Sequence, residues 1–199
     1  MPTGRQYFRG EVLIKGNIYL TGLMGAGKST VGRILAGKMG LVFVDLDRET
    51  EALAGVEIPT IFARRGEGYF RRLEERALKA VSRRAAQVVA TGGGVVLSGA
   101  NRCRMKATGT VVCLWAPVEE LWRRLGRAGN RPLLDSRDPV GCLEALLRER
   151  EEAYREADYL VDTQGLTPEE VAEKIVGLLG KGSIGGPGAA CAGTTEDEN

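Results

Sequence analysis

Apolar residues along the chain gather into five short runs, separated by stretches in which apolar positions recur every three or four residues. The runs are Ile18–Thr21, Leu41–Asp45, Gln87–Ala90, Thr110–Trp115 and Tyr159–Asp162. Short β-prone runs bounded by Gly, Asn or Asp read as strands. Helical patterns fall near 28–39, 48–54, 59–65, 68–85, 99–107, 117–128, 139–156 and 167–179. Val31, Leu35 and Met39, for example, recur at the spacing of one helix face. Asp47 and Thr167 read as N-caps, and Pro168 occupies a favourable first helical position. Alternating strands and helices predict an α/β fold with a parallel sheet covered on both faces. Ligands of such sheets sit beyond the C-terminal strand ends, so the segments after each strand are the places to search.

The ends of the chain break this pattern. Residues 1–16 read as a poorly ordered leader, and residues 182–199, rich in Gly, Ala, Ser and Thr and then acidic, as a disordered tail. The domain is then about 17–181, without internal repeats. At 199 residues the chain is long enough for one domain with a sizeable core. A hydrophobic content of 43% and a charged content of 27% are those of a soluble globular protein. No apolar run approaches the roughly 20 residues needed to span a membrane. Charged residues interrupt Met1 to Gly16, so no signal-peptide core is present, and a cytoplasmic location is expected.

Charge and residue usage narrow the chemistry. The net charge of +2 is too small to argue for nucleic acid. The tail holds three acids (Glu196, Asp197, Glu198) and no base, so residues 1–181 carry 28 bases against 23 acids, a net +5 that suits an anionic ligand. The chain has no histidine, which excludes a histidine base or a Ser-His-Asp triad. Its four cysteines, at 103, 113, 142 and 191, form no CxxC pair, which argues against a zinc site.

The most specific local feature is Gly22 to Thr30, Gly-Leu-Met-Gly-Ala-Gly-Lys-Ser-Thr, a full match to the phosphate-binding pattern GxxxxGK[ST]. A strand precedes it and a helix follows, as the motif requires. Glycines let backbone N–H groups close on phosphates without a Cβ in the way. The residues assigned to ATP are Gly25, Ala26, Gly27, Lys28, Ser29 and Thr30. Lys28 would reach the β- and γ-phosphates, and Ser29 would hold Mg²⁺ through its hydroxyl. The N-terminal end of the next helix would face the anion.

Further groups follow the other strands. Asp45 and Asp47 face one side of an extended segment, where they could hold Mg²⁺ and accept a hydroxyl proton. A helix cap beside a solvated aspartate is the plain alternative. Gly92, Gly93 and Gly94 allow close approach of a ligand to the backbone, or merely form a flexible link. Arg150 lies on the apolar face of its helix with Leu143 and Leu146, and Arg71 lies between Phe70 and Leu73. A buried guanidinium needs a partner. Glu74, at i+3 from Arg71, is one choice and a bound carboxylate another. Snorkelling to the surface is the alternative for both arginines. Between Arg123 and Asp138, five arginines surround Gly126, Gly129 and Pro132. This segment reads as a mobile lid over phosphates, or as a solvated basic loop.

Taken together, these motifs resemble the shikimate kinase family over about residues 17–180. The matching elements are GLMGAGKST, Asp-Leu-Asp at 45–47, GEGYFRRLEE at 66–75, TGGG at 91–94, RPLL at 131–134 and the ER…Y of Glu149, Arg150 and Tyr154. The resemblance implies a P-loop NTPase fold of the nucleoside-monophosphate-kinase type. Its five-stranded parallel sheet is flanked by helices, with a mobile lid at about 125–138. It implies transfer of the ATP γ-phosphoryl group to the 3-hydroxyl of shikimate, a step towards chorismate and the aromatic amino acids.

By the same resemblance Asp47 contacts the ring hydroxyls and is the candidate base. Arg71, Arg150 and the glycines 92–94, chiefly the backbone at Gly93, hold shikimate. Arg131 bridges substrate and transferring phosphate, and Arg124 stacks on adenine. Lys28 and Ser29 keep their P-loop roles, and Asp45 orders the Mg²⁺ shell through water. The leader and tail fall outside the family pattern. Rival readings are a kinase of the same fold acting on gluconate or a nucleotide, and a non-catalytic nucleotide-binding domain. No nucleic-acid or membrane partner is expected, and the expected state is a monomer.

Overall fold

Five strands form one parallel sheet: β3 (Asn17–Thr21), β4 (Val42–Asp45), β5 (Gln87–Ala90), β6 (Gly109–Trp115) and β7 (Tyr159–Asp162), in the order β4-β5-β3-β6-β7. The structure, a computed structural model, describes residues 6–9, 12–126 and 138–181. The lid expected at about 125–138 is covered only at its ends. Arg131 and the tail 182–199 lie outside the described residues. Every residue of central β3 is buried. A strand covered on both faces has no polar side to show, which is why β3 and the equally buried β5 read as apolar runs rather than as alternations.

Among the described residues two further strands, β1 (Gln6–Arg9) and β2 (Val12–Lys15), pair antiparallel. They lie within the stretch expected to be a poorly ordered leader. Tyr7, Phe8, Val12, Leu13 and Ile14 are β-prone residues on either side of Gly10, a hairpin signal that outweighs the weak overall patterning of that stretch. At backbone level β2 runs beside the last helix, α7 (Pro168–Lys181).

Helices α1 (Lys28–Met39), α2 (Leu46–Ala54), α3 (Ile58–Val81), α4 (Gly99–Thr108), α5 (Val118–Leu125), α6 (Pro139–Arg155) and α7 connect and cover the sheet. The chain leaves β3 through α1 to the outer strand β4, returns to β5, and then crosses to β6 on the far side of β3. This reversal opens a crevice at the C-terminal end of β3, where ligands of open α/β sheets bind. The register sets Leu20 and Asp45 each against Ala90, so the segments that follow these strands emerge together. Gly32 lets α1 lie close on the sheet: a Cβ there would come within 2.7 Å of the Phe43 ring.

Two local expectations change. Asp45, not Asp47, caps α2; its side chain accepts the Asp47 N–H, and Asp47 falls in the first turn. A carboxylate just outside the helix satisfies an orphan N–H at the N-terminus, and the short strand ends early enough to supply it. The patterns near 59–65 and 68–85 are two helices run together as α3 and broken at Gly66, whose φ of 74° is left-handed. Thr167 does cap α7, donating and accepting hydrogen bonds with Glu170 in a capping box. Among the described residues no helix is long and apolar enough to cross a membrane.

Candidate functional site

The P-loop occupies the crevice after β3. Gly25 and Gly27 have φ of 85° and 90°, values that a side chain would oppose, and Gly27 is the N-cap of α1. The loop therefore turns its backbone around a concavity at the positive end of α1. Lys28 Nζ donates to the carbonyls of Gly22 at 2.8 Å and Leu23 at 3.0 Å, which holds the ammonium over the loop. Ser29 Oγ donates to Asp45 Oδ2 at 3.0 Å. Asp45 thus joins the α2 N-terminus to the P-loop, one carboxylate oxygen on each.

A cavity of about 1010 Å³ runs from this loop and takes in Asp45, Asp47, Arg71, Glu74, Gly92, Gly93, Gly94, Arg124 and Arg150. That volume accommodates a nucleotide and a small second substrate. Ile58, Phe62 and Phe70 add an apolar wall, with the two phenyl rings 4.9 Å apart.

Glu74 is the least expected member of the site. It is 1% exposed, and its Oε2 accepts Arg71 Nη1 at 2.9 Å. Its Oε1 is buried without a hydrogen-bond partner. A Cβ on Gly92 would lie 2.6 Å from that oxygen and 2.9 Å from Asp47 Oδ1, so two carboxylates close on one glycine. Burial pushes the Glu74 carboxyl above its usual range; Arg71 opposes the shift and the nearby Asp47 adds to it. Arg71 is itself held by Glu67, through Nη2 at 2.8 Å and Nε at 3.2 Å. Its guanidinium blocks the space where a Cβ on Gly94 would sit. Arg71 is therefore not snorkelling: three side-chain hydrogen bonds fix it against the glycines.

Arg150 is 3% exposed, as its place on the apolar face of α6 predicts. Its Nε has no hydrogen-bond partner, and the carboxylate of Glu149 stands 3.7 Å away. An ion pair that long, to a half-exposed partner, leaves much of the desolvation of a buried guanidinium uncompensated. Its Nη1 is 3.6 Å from the position of a Gly93 Cβ. The two arginines thus approach neighbouring glycines of one turn from α3 and α6. Thr91 lines the cavity but spends its hydroxyl on the Leu20 carbonyl, tying β5 to β3.

Arg124 is fixed along its edges by Glu120 Oε1 at 2.7 Å, Thr163 Oγ1 at 3.0 Å and the Thr163 carbonyl at 2.8 Å. A guanidinium held by its edges offers its flat face for stacking. Thr163 carries no mark in the sequence, because its signal lies in a contact across 39 residues. Tyr154 belongs to the ER…Y motif, and the structure gives it a task there: its hydroxyl donates to the Gly93 carbonyl at 2.6 Å. Apart from that motif, its position one helical turn after Arg150 is the signal in the sequence for a place in the site.

Ser29 and Asp45 are hard oxygen donors at the mouth of the loop, and they fit Mg²⁺. Among the described residues there is no group of three or more His, Cys, Asp or Glu side chains able to hold a metal.

Fold and site define a P-loop kinase whose cavity continues from the loop to Arg71 and Arg150. Comparison with known proteins makes the assignment specific. Residues 24–179 match the family model described as shikimate kinase, and the chain belongs to that family. It is 46% identical over 160 residues to a shikimate kinase of Thermodesulfovibrio yellowstonii, covering 80% of this chain and 92% of that one. Among solved structures, a shikimate kinase of Acinetobacter baumannii in complex with shikimate superposes with a TM-score of 0.82. It is 43% identical and covers 85% of this chain and 96% of its own. A gluconokinase of Sinorhizobium meliloti, at 20% identity and a TM-score of 0.59 over 83% of this chain and 92% of its own, shares the fold alone.

Proposed function

We propose that this protein transfers the γ-phosphoryl group of ATP to the 3-hydroxyl of shikimate. The observation that carries the reading is the ring of charge around Gly92–Gly94: Arg71 and Arg150 on one hand, Asp47 and Glu74 on the other, beside the P-loop in one cavity. An acceptor matched to that ring is a carboxylate bearing several hydroxyls. The arginines take its carboxylate, since a guanidinium grips carboxylates in a bidentate fork. The carboxylates take its hydroxyls. The buried Glu74 Oε1 gains the partner it lacks, because leaving a buried polar atom unmatched costs about 1–3 kcal/mol.

Phosphoryl transfer asks mainly for positioning and charge stabilisation. Asp47 orients the acceptor hydroxyl and receives its proton. Lys28 leaves the Gly22 and Leu23 carbonyls for the β- and γ-phosphates, and the P-loop N–H groups hold the phosphates in place. Arg124 stacks on the adenine. Arg131, outside the described residues, spans acceptor and transferring phosphate. Ser29, and Asp45 through water, would hold Mg²⁺, which when bound would neutralise developing charge on the phosphate oxygens. The protein acts in the cytoplasm as a monomer, without nucleic acid or membrane.

Product analysis tests the site of transfer. Phosphorus–proton coupling in the NMR spectrum of the isolated product is expected at ring carbon 3. Phosphate on another hydroxyl would move the reacting oxygen away from Asp47 and reject Asp47 as the group that orients the 3-hydroxyl.

A further inference from the structure

Three consecutive glycines make a poor binding surface unless something fixes their peptide planes. Glycine reaches more backbone conformations than any other residue and loses the most freedom when ordered. A peptide between two glycines is also the easiest to flip, because no Cβ opposes the rotation. Gly93–Gly94 is such a peptide, and it lines the cavity. Flipped, it would turn the Gly93 carbonyl oxygen away from α6, and a partial negative charge there opposes an anionic ligand.

Tyr154 stands against that flip. Its side chain is 1% exposed, and its hydroxyl donates to the Gly93 carbonyl at 2.6 Å, a short bond across 61 residues. The peptide is trans, so fixing the carbonyl on α6 also fixes its plane, with the Gly94 N–H on the opposite side. One turn earlier on α6, Arg150 brings its guanidinium beside both the phenol and Gly93. Burial raises the Tyr154 phenol well above its usual range, and the adjacent Arg150 only partly opposes this. The group is therefore a protonated donor throughout the working pH range. A second link joins the same segment to α6: Arg102 Nη1 donates to the Val96 carbonyl at 2.7 Å, while its Nε stands 3.0 Å from Glu156. That link is farther along and does not touch Gly93.

We infer that Tyr154 is a positioning residue for the acceptor substrate: its hydroxyl holds the Gly93–Gly94 peptide in the one orientation that accepts an anion beside Arg150. The inference rests on the proposed transfer to shikimate. It assigns to Tyr154 a role separable from packing, since the ring fills the core and the hydroxyl sets the peptide.

Tyr154→Phe separates the two, because the ring remains and only the donor is lost. In the full-length enzyme with Mg-ATP, KM for shikimate should rise about tenfold, the size of one hydrogen bond lost to a buried acceptor. KM for ATP should stay within about twofold and the melting temperature within a few degrees. The control Arg102→Met cuts the other link and should lower the melting temperature with shikimate KM within about twofold. An unchanged shikimate KM in Tyr154→Phe, equal rises for both substrates, or an equal rise in Arg102→Met would overturn the inference. A second measurement needs no variant. In wild-type protein carrying ¹³C-carbonyl glycine, the Gly93 resonance should hold one hydrogen-bonded position with or without shikimate. Two positions, or a shift to a new one on adding shikimate, would contradict a preset peptide. If wild-type enzyme releases no ADP with shikimate, the proposed function fails first, and the carbonyl measurement still decides whether the peptide is preset.

Discussion

Arg71 and Glu74 meet at 2.9 Å, one side chain a quarter exposed and the other almost wholly buried. The carboxylate has one oxygen on the arginine and the other turned, without a partner, towards Gly92. In the proposed reading Glu74 both fixes Arg71 and offers its free oxygen to the acceptor. Glu74→Gln keeps the shape and removes the charge. Arg71 retains Glu67, so it is not left without a carboxylate. Shikimate KM should rise about 3- to 30-fold, as for one charge-assisted hydrogen bond weakened. Melting temperature should change by only a few degrees, since a costly buried carboxylate is lost along with its pair. Steady-state kinetics beside calorimetry checks the split. A large drop in melting temperature with unchanged KM would make Glu74 purely structural.

Gly92 has no room for a methyl group, because both Glu74 and Asp47 lie within 3 Å of where it would go. Gly92→Ala should push the two carboxylates apart and lower kcat/KM for shikimate by about 10²-fold, the usual cost of misplacing reacting groups by about an ångström. ATP binding, measured by calorimetric titration without shikimate, should be unaffected. A matching loss of ATP affinity would show that the two subsites are not separate at this glycine.

Arg150→Ala removes a buried cation whose carboxylate neighbour is only loosely placed. Shikimate binding should weaken by about 1.5–3 kcal/mol, or roughly 10- to 150-fold, and ATP binding much less. Fluorescence or calorimetric titration of each ligand distinguishes this from an equal loss of both, which would count against a carboxylate contact.

Acid stability should report Glu120. It accepts from Arg123 at 2.7 and 2.8 Å and from Arg124 at 2.7 Å. The hydrogen bonds from Arg123, and then Arg124 with the charge of both, hold its carboxyl at about 2, against an ordinary 4.5; its slight burial opposes the shift. A carboxyl lowered on folding stabilises above its unfolded value, and that contribution is lost as pH falls towards the folded value. Wild type should therefore exceed Glu120→Gln in melting temperature at pH 6, and the gap should close between about pH 4.5 and pH 2. A gap that is independent of pH would remove the charge as its cause.

Much of this architecture is visible in the sequence because the physics behind it is local. The inner strands β3 and β5 are buried along their whole length and so appear as continuous apolar runs. The P-loop is one contiguous segment whose glycines need left-handed backbone. Arg150 announces itself by falling on the apolar face of α6. What stays hidden depends on contacts between distant elements. Asp47 and Glu74 come from α2 and α3 and are brought together around Gly92, which arrives from β5. The bond from Tyr154 to Gly93 likewise has no counterpart in any spacing along the chain. The exchange of capping roles between Asp45 and Asp47 turns on where β4 ends, a boundary that patterning does not fix to within two residues. The β1–β2 pair is hard to see because its strands are short and lie outside the repeating strand–helix order.

The central claim is that the charged ring around Gly92–Gly94 selects shikimate as phosphoryl acceptor. Its most direct test is ADP release from Mg-ATP by purified protein, compared for shikimate, quinate, gluconate, AMP and no acceptor. Release with shikimate, and about 10⁴-fold lower kcat/KM for acceptors that leave the buried polar groups unmatched, is the expected result. Equal or faster release with gluconate or AMP, or none with any acceptor while ATP still binds, would contradict it.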